Sequence, residues 1–196
     1  MAGSQWLLIS VSTSGTTASL RVTVWRQLKA LGALYLHQSV CVLPARAGTR
    51  RAVGGLSERV RQGGGSVRTL TIRVTDPGQD TQLREELQAA RDGEYTEMLD
   101  RFPSFFDELE TEIARGRTTF EELEESEADL ARFRAWLGKI AARDYFNAPA
   151  GDLARAELAR AEEALAAFAD LAMASHDTPA VATDRPRLHA VRNTTS

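Results

Sequence analysis

The sequence predicts an α+β protein: a ferredoxin-like βαββαβ domain over residues 5–75, then an all-α helical extension over 79–174 that ends in an antiparallel helical hairpin, then a disordered tail over 175–196. Three observations lead there. Up to Val74 the apolar pattern switches between short β-branched runs and 3.6-residue spacing, in the order strand, helix, two strands, helix, strand. Asp76-Pro77-Gly78 then interrupts the chain, and the composition changes. Beyond that break every apolar stripe has helical spacing.

The first strand is WLLISVST (6–13), short, apolar and β-branched toward its end. STSGTT (12–17) is a turn whose hydroxyls suit a helix start. Leu20, Val24, Leu28 and Leu31 give the first helix its inner stripe, and Gly32 stops it. Residues 34–36 and 40–43 flank His37-Gln38-Ser39 and read as a hairpin ending at Pro44. Val53, Leu56 and Val60 form the inner face of a second helix, which Gly54-Gly55 weakens by about 1 kcal/mol per glycine relative to alanine. A last strand over 67–74 alternates Leu70, Ile72 and Val74 with a more polar face. In this topology both helices lie on the same face of one antiparallel sheet.

The extension begins with a short helix carrying Leu83 and Leu87, then a second over 94–115 interrupted or kinked near Pro103. Thr119 starts a third, with an acidic first turn that suits the positive end of the helix dipole. Its stripe is Leu123, Leu130 and Leu137, with Phe133 and Ile140 between. After the loop NAPAG (147–151), Leu158, Ala161, Leu165, Phe168 and Ala172 repeat the pattern, so the two stripes pair as the antiparallel hairpin.

Charge divides the chain at the same break. Residues 1–75 hold ten basic side chains against Glu58 alone, a balance of +9, whereas 76–175 hold 24 acidic and 11 basic, a balance of −13. A concentrated positive field attracts polyanions. On the two helices of the first domain, helical spacing turns Arg21, Arg26, Lys29, Arg50 and Arg51 away from the core stripes, and Arg46 joins them from the turn after Pro44. Arginine's planar fork suits phosphate. The expectation is therefore that these six residues bind DNA phosphate. The competing reading is a protein-interaction or scaffold module in which the acidic helices, with their run EELEESEAD (121–129), mask this basic face.

Other constellations are weaker. Ser14, Gly15, Thr16 and Thr17 offer hydroxyls and backbone N–H groups at a helix start, a candidate oxyanion site whose plain alternative is ordinary capping. No lysine follows a glycine as in a P-loop. His37 and Cys41 are two ligand types without the further partners a zinc site needs, and Cys41 within VCVL reads as core. The acidic run lacks an E-x-x-H motif, which disfavours a di-iron site. No catalytic set, metal or cofactor is expected, so the protein is expected not to be an enzyme. The longest apolar runs are too short to span a bilayer, no signal-peptide pattern opens the chain, and a lone cysteine fits a reducing cytoplasm.

Several segments together carry a family resemblance. They are Trp6-Leu7-Leu8-Ile9, then Trp25-Arg26-x-Leu28-Lys29-Ala30-Leu31-Gly32-Ala33, then Val40-Cys41-Val42-Leu43-Pro44. Within 112–149, Ala114-Arg115-Gly116, Phe120-Glu121-Glu122-Leu123-Glu124-Glu125 and Ala142-Arg143-Asp144-Tyr145-Phe146-x-Ala148-Pro149 continue it. In their order and spacing they resemble the N-terminal half of the ChrB family, bacterial proteins associated with chromate resistance. The resemblance implies a chromate-responsive transcription regulator with promoter DNA and chromate or another oxyanion as partners, and it assigns no residue to either. A homodimer through the helical extension fits the same reading. The βαββαβ pattern also resembles, at fold level, the small CRISPR-associated nucleases. Those place a metal-binding aspartate at the end of the first strand, where this chain has Ser10-Val11-Ser12-Thr13, and its first aspartate is Asp76.

Overall fold

The computed structural model describes residues 4–177. β1 (Gln5–Ser12), α1 (Ala18–Ala30), β2 (Leu34–His37), β3 (Val40–Pro44), α2 (Ala47–Gln62) and β4 (Ser66–Arg73) follow in the expected order. They build one sheet ordered β2-β3-β1-β4 in which every neighbouring pair is antiparallel, so the ferredoxin-like α+β expectation holds.

Strand alternation sorts the apolar run of β1 onto two cores. Leu7 and Ile9 pair with Leu43 and Cys41 and face Val24 and Leu28 of α1 and Val53, Leu56 and Val60 of α2. Trp6, fully buried, and Val42 face the other way. The polar face of β4 lies on the helix side: Thr71 is opposite Leu7, and its hydroxyl accepts a hydrogen bond from Arg50 Nη1 at 2.8 Å.

The second sheet face is partly covered. α3 (Pro77–Leu99) crosses its Trp6 end, packing Leu83 and Leu87 against Trp6, Val42 and Ile72. Asp76 caps this helix by accepting from Gly78 N at 2.8 Å, and Pro77 occupies the first turn, where no N–H is needed. Trp6 Nε1 donates to Asp80 Oδ1 at 2.7 Å, and Arg84 Nε donates to Asp80 Oδ2 at 3.1 Å. Burial pushes the Asp80 carboxyl up, but the hydrogen bonds from Trp6 and Arg84 and the charge of Arg84 outweigh it and hold the group below its ordinary value.

The helix boundaries after the break differ from the sequence expectation. α3 is continuous to Leu99, so no break separates a short first helix from residue 94; the expected interruption near Pro103 is present, and α4 (Phe102–Ala114) begins there with the proline in its first turn. The inward stripe of α3 runs Leu87, Arg91, Tyr95, Met98, all buried. An arginine in that stripe breaks the apolar period that a sequence reading follows.

α5 (Phe120–Ala141) and α6 (Ala150–Asp177) form the expected antiparallel hairpin. The Thr118 and Ser175 hydroxyls lie 2.9 Å apart at one end, and Arg134 Nε meets Glu162 Oε1 at 2.7 Å midway. Leu123, Leu130 and Ile140 share a core with Leu158, Leu165 and Phe168, and α3 and α4 complete a four-helix assembly around it. Phe133 stacks on Phe102 with ring centroids 4.4 Å apart. α6 continues to Asp177, past the tail boundary expected at 175. The rest of the expected tail lies outside the described residues. No described helix is long and apolar enough to cross a membrane.

Candidate nucleic-acid interface

All six expected phosphate-binding side chains are exposed, and among the described residues none of them forms an ion pair. They do not form one cluster. On α1, Arg26 and Lys29 point away from the Val24–Leu28 stripe, and Lys29 Nζ lies 5.1 Å from the Trp25 ring centroid. Arg21 stands on the flank facing the β2–β3 hairpin, beside Trp25 and Tyr35. Arg51 lines a groove of about 380 Å³ between α1 and α2. Leu31 and Leu56 line that groove too, and Ala30, Ala52 and Gly55 leave it open because they carry little or no side chain.

The other two cations are committed to neutral partners. Arg50 turns to the sheet edge, where Nη1 reaches Thr71 and Nη2 reaches Gln5 Oε1 at 3.3 Å. Arg46 donates to the Tyr145 carbonyl, and its guanidinium carbon lies 5.2 Å from the Tyr145 ring centroid. No carboxylate among the described residues pairs with either, and these bonds fix their positions. Arg59 lines the same groove as Arg51 and was not among the six. The signal for it was present in the sequence, since it follows Leu56 by three residues, on the flank of the buried stripe.

The acidic run 121–129 lies elsewhere. Glu122, Glu125 and Asp129 share a surface with Glu108 of α4 and with Arg132, which pairs with Asp129. Among the described residues no ion pair joins this run to α1 or α2, so the masked arrangement is not the one observed.

The turn ahead of α1 uses its hydroxyls locally. Thr16 Oγ1 donates to the Thr13 carbonyl at 2.8 Å, Thr17 Oγ1 accepts from Leu20 N at 3.3 Å and lies 3.0 Å from Ser19 Oγ, and Gly15 takes a φ of 76°. These are the bonds of a turn and a helix cap. Ser14 is exposed at its tip. His37 is exposed on β2, whereas Cys41 is 1 % exposed and burial pushes its thiol up to about 11. A thiol held neutral in this way is a core residue and not a nucleophile.

The segment Arg143-Asp144-Tyr145-Phe146-x-Ala148 joins the basic domain to the helical bundle. Tyr145 donates its hydroxyl to the Leu31 carbonyl at 2.7 Å, at the C-terminal end of α1. Phe146 packs on Trp6 with ring centroids 5.8 Å apart, and its carbonyl accepts from Gln88 Nε2 at 2.9 Å. Asp144 accepts from Ala148 N at 3.1 Å and from the Tyr95 hydroxyl at 3.3 Å. Glu94 bridges two guanidinium groups, taking Arg91 Nη2 and Arg143 Nη2 at 2.9 Å each. Arg91 is buried, and its Nε and Nη1 have no hydrogen-bond partner. Gly32, with φ 71°, lies against it: a Cβ there would sit 2.6 Å from Arg91 Nη1. Burial raises the Tyr145 hydroxyl above its ordinary value, against the positive charges of Arg46, Arg91 and Arg143. Sequence reasoning did not find Arg91 or Glu94, because their roles depend on a contact between residues far apart in the chain.

Comparison with known proteins matches residues 21–179 to the family model described as Protein ChrB, N-terminal. The chain is 29 % identical over 153 residues to Protein ChrB of Cupriavidus metallidurans, an alignment covering 78 % of this chain and 43 % of that relative. It thus spans less than half the length of the relative it matches. The matched region takes in both helices of the basic domain, the joining segment and the four-helix assembly. The chain belongs to the ChrB N-terminal family.

Proposed function

We propose that this chain is the DNA-binding portion of a ChrB-type regulator of chromate resistance. The observation that supports the reading best is electrostatic: the first domain has a balance of +9, and Arg21, Arg26, Lys29, Arg46, Arg50 and Arg51 are all exposed, with no ion pair to a carboxylate among the described residues. Such a surface gains affinity for duplex DNA by releasing the counterions condensed on phosphate. Arg26, Lys29 and Arg51, on the outer side of the α1–α2 layer, make the first contacts, and Arg46 and Arg50 hold fixed positions at its margins. The joining segment holds the helical bundle against the end of α1 through Tyr145 and the Leu31 carbonyl.

Chromate, or another oxyanion, is the proposed signal, and the cytoplasm the proposed compartment. The test is a gel-shift titration of the chain with duplex DNA from upstream of its own gene, with and without chromate. Retardation of that duplex at low protein concentration, relieved or strengthened by chromate, supports the reading. Absence of any shift at low salt overturns it.

A further inference from the structure

The basic domain has a feature that phosphate docking leaves unused. A cavity of about 370 Å³ opens between α1 and the β2–β3 hairpin. Val24, Leu28 and Cys41 are buried at its base. Trp25 and Tyr35 also line it and are 50 % and 38 % exposed. Among the described residues neither ring stacks on another aromatic ring, and Lys29 Nζ lies 5.1 Å from the Trp25 ring centroid. Arg21 lines the cavity as well, and so do Gln38 and Ser39 of the hairpin turn. Large exposed rings beside an apolar hollow mark a binding site more often than a solvated surface.

The chemistry around the hollow selects its occupant. The two aromatic rings that line the cleft bind a planar ring, and the cations Arg21, which lines the cleft, and Lys29, over the Trp25 ring, bind the anion attached to it. Gln38 and Ser39 supply donors and acceptors for a polar ring edge. An apolar peptide satisfies the hollow but not the cations, and duplex phosphate satisfies the cations but not the hollow. A nucleotide with its base out of the stack satisfies both, and aromatic stacking with a basic groove is how proteins hold such strands. The +9 balance of residues 1–75 is complementary to the strand that carries the base.

We propose that the cleft between α1 and the β2–β3 hairpin holds an unpaired base of a DNA strand, stacked on Trp25 and Tyr35, with Arg21 on its phosphate. This rests on the DNA-binding reading and goes beyond it, since it assigns the domain a preference for strands that are single or locally opened.

The test follows tryptophan emission while the full chain is titrated with a short single-stranded oligonucleotide and, separately, with the matching duplex. Trp25 is the exposed reporter: of the other two tryptophans, Trp6 is fully buried and Trp136 is half-buried against the helical core. Single strand is expected to quench the emission, and Trp25→Ala is expected to weaken its binding about five- to hundred-fold, the range for loss of one base–aromatic stack. Trp25→Phe keeps a ring and is expected to recover most of that loss. Tyr35→Ala reports independently on the opposite wall. Unchanged single-strand affinity in both alanine variants, alongside duplex binding that still depends on the arginines, overturns this proposal and leaves the DNA reading standing. No binding of either oligonucleotide overturns both. Quenching by an apolar peptide and not by the oligonucleotide assigns the cleft to a protein partner and overturns the proposal as well.

Discussion

The Tyr145 hydroxyl donates to the Leu31 carbonyl at 2.7 Å, which fastens the segment between the last two helices of the bundle to the end of the first helix of the basic domain. That carbonyl belongs to the last turn of a helix, where carbonyl groups lack intrahelical partners. Tyr145→Phe removes one hydrogen bond and leaves the ring packing in place. It is expected to lower stability by about 1 kcal/mol in urea unfolding, toward the upper end of the usual range if the freed carbonyl stays dry.

Glu94 pairs with both Arg91 and Arg143, whose side chains are 8 % and 19 % exposed. Glu94→Gln leaves a buried guanidinium without its counter-charge. The expected loss is about 3 kcal/mol, the low end for breaking a buried pair, because Glu94 itself keeps some solvent contact. Gly32→Ala attacks the same place from the other side, through both the positive φ and the approach to Arg91, and is expected to be destabilising by a comparable measure in the same assay. A Glu94→Gln variant as stable as the parent sinks this account of the junction.

Cys41 is expected to resist a thiol reagent at about pH 8 in the folded protein and to react at once in strong denaturant. Its thiol is pushed up to about 11 by burial, and burial also raises Tyr35, Tyr95 and Tyr145. Each of these groups holds its proton longer folded than unfolded. Their contribution to stability is therefore intact below the unfolded values and falls as the unfolded chain loses those protons, for Cys41 between about pH 9 and about 11. Asp80 works in the opposite direction. Its carboxyl is held low, so its contribution is present above the ordinary aspartate range and is lost on acidification. Unfolding midpoints measured from acid to alkali check both signs.

Much of this was legible in the sequence because the signal was local. Leu20, Val24, Leu28 and Leu31 mark α1, and the doubly apolar run of β1 is explained by burial on both sides, Leu7 and Ile9 under the helices and Trp6 under α3. The continuity of α3 through residue 91 was not legible, since Arg91 sits where an apolar residue was expected, whereas Pro103 marked the interruption that follows. Exposure of the five helical cations follows from helical spacing, whereas the engagement of Arg46 by Tyr145 and of Arg50 by Thr71 and Gln5 depends on residues brought together from distant parts of the chain. Periodicity tells which way a side chain points from its own helix and not what it meets there.

Thr17→Ala separates the cap reading of the turn from an anion reading. Loss of the bond to Leu20 N is expected to lower stability by about 1 kcal/mol, with no change in DNA affinity. A stability unchanged within error, together with weakened DNA or oxyanion binding, contradicts the cap assignment.

The salt dependence of duplex binding tests the central claim most directly. With labelled duplex DNA and the full chain, log affinity is expected to fall linearly with log salt between about 50 and about 200 mM, with a slope near −0.9 for each phosphate contacted. Arg26→Ala combined with Arg51→Ala is expected to weaken binding and to flatten that slope by about 2. A slope that the double variant leaves untouched, or an absence of binding at the lowest salt, contradicts the assignment of these exposed cations to DNA phosphate.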